Sequence, residues 1–171
     1  MNLLRRRASR QFVMPPRILF VCTANICRSP MAEGVLRKIL ARNRFPAAVD
    51  SAATTDQCVD MPPHPTALVV SKRRGYNIAH IVSRRIRESD FLTFDVIVAV
   101  DSANRDYLRE LAPANPWAEI RLLLEFGTRH RGRDVPDPHG FGPGVFEHSL
   151  DLIEDGCCGL ARYLLARRVL P

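Results

Sequence analysis

Cysteines are few in this sequence and long apolar runs are missing, and both shortages exclude classes of protein. No run reaches the roughly 20 apolar residues that a membrane-spanning helix needs, so no membrane association is predicted. The five cysteines lack the paired CxxC spacing of a zinc site and the five histidines are scattered, so we predict neither a metal nor a cofactor. No apolar secretory segment precedes the cysteines, which favours a reducing, cytoplasmic location.

Acidic residues are absent from the first 17 residues, which hold five arginines. The net charge of the 171 residues is +7, but outside this segment 20 basic residues face 18 acidic ones. A nearly neutral body gives little reason to predict a nucleic-acid partner, although the RRRASR segment could contact phosphates in a salt-dependent way. We predict a basic, disordered extension over 1–16, with a targeting segment or a start at Met14 as alternatives, and one domain over 17–171.

Short apolar runs alternate with amphipathic stretches along the body of the chain. Buried strands are predicted over 17–22, 47–52, 94–101 and 119–126. Helices are predicted over 29–42, 64–75 and 102–111, and a C-terminal helix follows from the apolar spacing that begins at Phe146. This alternation predicts a single-domain α/β fold, a four-stranded parallel sheet with helices on both faces. The glycine- and proline-rich stretch over 132–144 is the one long irregular segment, of the kind that often carries function.

The stretch VCTANICRSP joins the first predicted strand to the first helix. Cys22 ends the strand, and Arg28 precedes a helix start in which Ser29 suits the N-cap and Pro30 the first helical position. Backbone N–H groups in such a loop, the helix N-terminus and the arginine fork together suit a phosphate. A thiol placed there is stabilised as the thiolate, so Cys22 is predicted to be a nucleophile. The alternative is a cysteine that packs as a small buried hydrophobe.

Five stretches in the same order resemble the low-molecular-weight protein tyrosine phosphatases. They span about residues 17–166 and read ILFVCTANICRSPMAEGVLRK, VDSAAT, FDVIVAVDSANRDYL, VPDPHG and DLIEDGCCGLARYLL. The C-x5-R loop lies early in the chain, whereas unrelated cysteine phosphatases carry it late. The resemblance implies a cysteine-dependent, metal-independent phosphomonoester hydrolase. Its substrates would be phosphorylated proteins, in particular phosphotyrosine, or small aryl phosphates.

The resemblance also implies the catalytic roles. Cys22 would attack phosphorus and form a phosphocysteine, while Arg28 and the loop amides hold the phosphate oxygens. Asp137 would protonate the leaving group and then activate water; an ordinary turn residue between two prolines is the alternative reading. The other phosphate-loop residues would be Thr23, Ala24, Asn25, Ile26, Cys27 and Ser29.

A supporting network is implied behind this loop. Asn25 is expected to turn the chain in the left-handed conformation that asparagine tolerates, and Ser29 to donate to the Cys22 thiolate. Ser51 and His80 would tie Asn25 and Ser29 together from behind. The alternative for His80 is an ordinary core histidine. Asn25 could also be a plain turn residue and Ser29 a plain helix cap, and both of these interpretations are compatible with the implied roles.

Cys27 would be a spare thiol. In the family a second cysteine at this place can trap oxidised Cys22 as a disulfide, which prevents irreversible oxidation and makes the enzyme redox-sensitive. Packing behind the loop is the alternative for Cys27. The pair Cys157 and Cys158 falls in the last helix and reads as structural, and Cys58 has no assigned role.

The chain departs from the family pattern around the substrate slot. Thr23 and Ala24 replace a common Leu-Gly pair, and Ala24 could crowd the loop. Two aromatic walls of the slot are replaced by Gln57 and His139, which predicts weak activity on phosphotyrosine peptides. Ile26 favours an aromatic substrate, since relatives that act on phosphoarginine tend to carry threonine there.

Two other functions remain open within the same fold. An arsenate reductase would need further cysteines on a mobile segment, and only Cys58 and the helical pair Cys157 and Cys158 are available. A phosphate-binding module without turnover would be expected to lack the nucleophile, the arginine or the acid, whereas candidates for all three are present.

Overall fold

The protein is built around a sheet of four parallel strands. The computed structural model describes residues 15–167, so the predicted extension over 1–16 lies outside the described residues except for Pro15 and Pro16. The strands are β1 (Arg17–Cys22), β2 (Ala48–Ala53), β3 (Val96–Ala99) and β4 (Glu119–Leu122), in the order β2-β1-β3-β4. All three pairings are parallel, which confirms the predicted single-domain, four-stranded sheet.

Helices cover both faces of the sheet because the side chains of β1 alternate. Ile18 and Phe20 point to one face and share a buried cluster with α1 (Arg28–Arg42) and α5 (Pro143–Ala166), beside α2 (Pro65–Arg73). Leu19 and Val21 point to the other face, towards α3 (Asp90–Thr93) and α4 (Ser102–Leu111). Within residues 15–167, no helix combines the length and the hydropathy that a membrane span requires.

Several predicted boundaries need correction. The fourth strand stops at Leu122, where a short 3₁₀ helix (Leu123–Glu125) turns two leucines into the core. Helix α3 was not predicted because a single turn has no measurable period. Helix α1 begins at Arg28, so its N-cap residue is Cys27 and not the predicted Ser29, and no side-chain hydrogen bond caps this end of the helix. Ser29 therefore lies inside the first turn and does not act as the N-cap.

The parallel arrangement brings several loops to one edge of the sheet. Strands β1, β2 and β3 all end there, and the chain that follows each one stays close to its neighbours. Thr54 N–H donates to the Cys22 carbonyl over 2.9 Å, which joins the ends of β2 and β1. Val135 N–H donates to the Val100 carbonyl over 3.0 Å, so the proline-rich loop is held beside the end of β3. Ligands of parallel α/β sheets bind at this edge.

Helix α5 lies very close to the turn that follows β4. A Cβ atom on Gly159 would lie 1.8 Å from the carbonyl oxygen of Phe126, and one on Gly156 would lie 2.6 Å from Leu123 Cγ. Only glycine fits these two positions without a shift of the backbone or of a core side chain. The close approach fixes the position of α5, whose first half supports the loops described below.

We expect Gly159→Ala to lower the free energy of unfolding by about 1–3 kcal/mol or more, because its methyl group would overlap backbone. The matched control is Gly144→Ala in the same helix, where an added Cβ meets no atom within 4 Å. That change should stay within about 0.5 kcal/mol, as is usual for a surface substitution. Urea unfolding of the two variants checks this, and equal midpoints would contradict the packing at Gly159.

Candidate active site

A cavity of about 140 Å³ opens at the carboxyl edge of the sheet. It collects the three predicted catalytic side chains, most of the phosphate loop, both predicted slot walls and one unassigned cysteine. Its lining consists of Cys22, Thr23, Ala24, Ile26, Cys27, Arg28, Gln57, Cys58, Asp137 and His139. A larger cavity of about 650 Å³ lies beside α2 and contains none of these residues.

The loop that joins β1 to α1 turns its carbonyl groups away from this cavity. Four of its carbonyl oxygens accept hydrogen bonds from groups outside the loop. The donor and acceptor pairs are Thr54 N to Cys22 O, Thr55 N to Thr23 O, Ser83 Oγ to Ala24 O and His64 N to Ile26 O. With these carbonyls engaged outside, the loop can present its N–H groups to the cavity in the manner of an anion-binding nest, as Asn25 N–H does towards Cys22 Sγ. The uncapped N-terminus of α1, which has no acidic residue in its first turn, adds to the same site.

The sulfur of Cys22 lies among hydrogen-bond donors. Asn25 N–H donates to Cys22 Sγ over 3.3 Å, and Ser29 Oγ lies 3.0 Å from the same sulfur. Ser29 Oγ already accepts from Asn25 Nδ2 over 2.9 Å, so its own proton is free to point at the sulfur. Both donors stabilise negative charge on Cys22.

Asn25 holds the turn of the loop and organises the groups behind it. Its φ of +55° lies in the left-handed region. Its Nδ2 also donates to Ser51 Oγ over 2.9 Å, and its Oδ1 accepts from Arg84 N–H over 3.1 Å. Ser51 in turn donates to Glu33 Oε2 over 2.6 Å. Burial raises the pKa of Glu33, while the bonds from Ser51 and Arg37 act against that rise.

His80 does not join this network, which corrects the prediction made for it. Its side chain is exposed, and the groups that reach the loop come from Ser83 and Arg84. The cause is backbone register: Ala53 N–H donates to Arg84 O, and Ile86 N–H donates to Ala53 O. This pairing with the end of β2 places residues 83 and 84, and not residue 80, behind the loop.

The Arg28 side chain is only 3% exposed and is held on two sides. Its Nη1 donates to Asp101 Oδ2 over 2.5 Å and to the Val135 carbonyl over 3.1 Å. Its Nη2 donates to Asp137 Oδ2 over 3.0 Å and reaches Thr23 Oγ1 at 3.4 Å. Its Nε is buried without a hydrogen-bond partner among the described residues. A buried guanidinium N–H of this kind, beside an amide nest, fits an oxyanion.

Asp137 lies at the mouth of the cavity, where its side chain is 50% exposed. Its Oδ1 accepts from the His139 N–H over 3.2 Å, a local turn contact. The loop that carries it is braced from α5, because Ser149 Oγ donates to the Pro136 carbonyl over 2.9 Å. The structure thus brings Asp137 to Arg28 and Cys22, more than 100 residues away in sequence.

Besides Ser83 and Arg84, sequence reasoning gave no role to Asp101, Glu33 or Cys58. Asp101 lies two residues beyond the end of β3 and is the last residue of the predicted strand 94–101, so the strand-end rule could have found it. Besides holding Arg28, it caps α4 by accepting from Asn104 N–H over 2.7 Å. Glu33 was not singled out, because it falls on the polar side of a predicted helix. Cys58, which had no role, lines the cavity and is half-buried.

The remaining cysteines differ in their access to the site. Cys27 is buried, and this burial together with the charge of Cys22 raises the pKa of the Cys27 thiol to about 12. Cys157 is fully buried within α5, and Cys158 is exposed on that helix outside the cavity lining.

Comparison with known proteins agrees with this geometry. The model of the family described as low molecular weight phosphotyrosine protein phosphatase matches residues 17–169. The low molecular weight protein-tyrosine-phosphatase YfkJ of Bacillus subtilis is 35% identical over 142 residues, which cover 82% of this chain and 90% of the relative. A protein tyrosine phosphatase structure from Entamoeba histolytica superposes with a TM-score of 0.84 at 33% identity, covering 88% of this chain and 97% of its own.

A third protein of the same fold carries a different description. The Drosophila arginine phosphatase DARP superposes with a TM-score of 0.81 at 29% identity, covering 85% of this chain and 96% of its own. The family match spans almost the whole described chain, and the fold and the sequence relatives agree with it. The chain therefore belongs to the low molecular weight phosphotyrosine protein phosphatase family and is a phosphatase.

Proposed function

We propose that the protein hydrolyses phosphomonoesters through a phosphocysteine on Cys22, with Arg28 as the phosphate clamp and Asp137 as the general acid. The observation that carries this proposal is the buried Arg28 Nε, which has no hydrogen-bond partner among residues 15–167. It lies beside the uncapped N-terminus of α1 and the hydrogen-bonded sulfur of Cys22. An oxyanion and a nucleophile would therefore meet in one small cavity.

In the first step the phosphoryl group enters the amide loop and receives two hydrogen bonds from Arg28, from Nε and Nη2. This takes Nη2 away from Asp137, so that carboxyl is free to face the leaving oxygen. The Cys22 thiolate then attacks phosphorus, the sulfur–phosphorus bond forms, and the bond to the ester oxygen breaks. The proton of Asp137 passes to the departing oxygen, which leaves as a neutral alcohol or phenol.

In the second step water displaces the sulfur. Asp137, now ionised, accepts a proton from the water as it attacks phosphorus. The sulfur–phosphorus bond breaks, inorganic phosphate is released, and Cys22 leaves as a thiolate. The hydroxyl of Ser29 stabilises that thiolate, because its own acceptor lone pair is already engaged by Asn25.

Phosphorylated proteins bearing aryl phosphates are the substrate class that this site supports best. Ile26 supplies an apolar surface to the cavity, while the exposed Gln57 and His139 stand where aromatic walls would otherwise grip a ring. We therefore propose weak rather than strong activity on phosphotyrosine peptides. Because DARP shares the fold, phosphoarginine is the competing substrate, and parallel assays of the two phosphoamino acids decide between them.

Arsenate reduction is the second candidate, and the position of Cys58 is the observation that favours it. A relay of disulfides needs thiols that can reach one another, and Cys22, Cys27 and Cys58 line the same cavity. Thiol-dependent turnover of arsenate that is lost in Cys58→Ser would support this function. Turnover of phosphate esters without arsenate reduction would exclude it.

Cys22→Ser should reduce turnover of p-nitrophenyl phosphate by about 100-fold or more, because the nucleophile is lost. The amide loop and Arg28 remain, so binding of inorganic phosphate should survive, which isothermal titration measures. Cys158→Ser, on the exposed side of α5, is the matched control and should keep wild-type turnover. A metal chelator should not change the turnover either, because the proposed mechanism uses no metal. Activity of Cys22→Ser above a few per cent would refute the nucleophile assignment.

Asp137→Asn should slow esters with basic leaving groups by roughly 10²–10⁴ and activated esters much less. The reason is that a departing alkoxide needs a proton, whereas p-nitrophenolate leaves readily without one. Steady-state kinetics over a series of aryl and alkyl phosphates give this dependence. If all esters slow equally, Asp137 acts as a turn residue and the acid lies elsewhere.

Mild peroxide should inactivate the enzyme reversibly, with a Cys22–Cys27 disulfide detectable by peptide mass. Because the pKa of Cys27 is raised to about 12, its thiolate is scarce at neutral pH. The trapping step should therefore accelerate about tenfold for each unit of pH from 7 to 9. Cys27→Ser should recover poorly with added thiol, while Cys58→Ser serves as the control. If the activity of the wild type and of Cys27→Ser recovered equally, Cys27 would not trap Cys22 and would act only in packing.

A further inference from the structure

His64 lies where the phosphate loop, helix α2 and helix α5 meet. Its backbone N–H donates to the Ile26 carbonyl over 2.8 Å, so the residue is tied directly to the phosphate loop. Its ring Nδ1 accepts from the Thr66 N–H over 3.2 Å and caps the N-terminus of α2. These two bonds fix both the backbone and the ring, which leaves little freedom for the half-buried imidazole.

Three rings run from the core to the cavity through His64. On its inner side the ring stacks on Phe146, with centroids 5.1 Å apart and planes inclined by 22°. Phe146 is fully buried on α5, so it gives the imidazole an immobile surface. On the outer side the ring meets His139 edge to face, with centroids 5.7 Å apart and planes inclined by 80°.

His139 belongs to both the slot and the acid loop. Its side chain lines the cavity, and its backbone N–H donates to Asp137 Oδ1 over 3.2 Å. His139 is otherwise exposed, so the edge contact with His64 is the ring contact that orients its imidazole. A displaced His139 would change the shape of the slot beside the leaving group.

We propose that His64 is a positioning residue for substrate selectivity, in that its imidazole braces His139 as a wall of the substrate slot. This inference rests on the proposed function, because it concerns what lies beside the bound phosphate. The slot wall is thus built from two residues, with His139 touching the substrate and His64 holding it against the core. The ligand chemistry that such a wall recognises is a flat ring attached to the phosphoryl group, which the single imidazole of His139 grips less strongly than two aromatic walls would.

A purely structural role as the cap of α2 is the competing explanation, and two substitutions separate the roles. His64→Asn keeps a side chain that caps helices well but removes the ring. His64→Phe keeps a ring that can stack on Phe146 and meet His139 but removes the acceptor. Thermal unfolding of both variants reports on the cap, and ligand selectivity reports on the wall.

The measurement is the ratio of dissociation constants for methylphosphonate and phenylphosphonate, two ligands that need no turnover. We expect His64→Asn to lower this ratio, which measures the preference for the ring, by about 2- to 12-fold, the effect of losing one aromatic contact. His64→Phe should keep the ratio of the wild type. Both variants should bind methylphosphonate like the wild type. In the background of His139→Ala, adding His64→Asn should change the ratio no further, because His64 acts through His139.

An unchanged ratio in His64→Asn would overturn the proposal, and so would a loss that adds fully to that of His139→Ala. A loss in His64→Phe with an unchanged ratio in His64→Asn would assign the effect to the cap, and a loss shared equally by the two variants would not depend on the ring; either result would also overturn it. The readout is independent of hydrolysis. A wild type that binds both phosphonates but hydrolyses no ester would refute the proposed function, while the ratio still decides the role of His64.

Discussion

The guanidinium of Arg28 is the group on which the arrangement of the site depends. A buried charge costs several kcal/mol unless it is paired, and this one is almost wholly removed from solvent. Asp101, in the turn between β3 and α4, supplies the compensating carboxylate, and the Val135 carbonyl supplies a second acceptor. One planar group therefore fixes the distance between β1, β3 and the loop that carries Asp137. The remaining edge of the guanidinium faces the cavity, where Nε and Nη2 can each donate to a phosphate oxygen.

The loop between β1 and α1 is held in its shape by contacts with the rest of the protein. Its outward carbonyls are bonded to three neighbouring segments, at residues 54–55, 64 and 83, and the left-handed turn at Asn25 is held by Ser51 and Arg84. Groups that are fixed in this way need not reorganise as charge develops during the reaction, which is the main source of electrostatic catalysis. Glu33 completes the network as a buried carboxylate that accepts from Ser51 and Arg37.

The rim of the cavity is much less constrained than its floor. Gln57 and His139 are exposed, Cys58 is half-buried, and the carboxyl of Asp137 is half in solvent. Of these rim residues only Asp137 is hydrogen-bonded to Arg28, so Gln57, Cys58 and His139 can change without removing a hydrogen bond of Cys22 or Arg28. The buried contacts of Cys22 and Arg28 and the exposed side chains that border the cavity therefore form two layers of the site, which the proposed bracing of His139 by His64 would join.

The sequence by itself determined the strand, loop and helix around Cys22 and Arg28, because seven consecutive residues fix their spacing. It also determined the parallel sheet, since buried runs alternate with helical periods. Only the tertiary structure placed Ser83 and Arg84, and not His80, behind the loop, because that segment has no period and its register comes from pairing with β2. The same holds for Asp101 at Arg28 and for His64 at His139, which meet across 73 and 75 positions of sequence. Contacts over such distances depend on how whole elements pack, and no local pattern of residues records that packing.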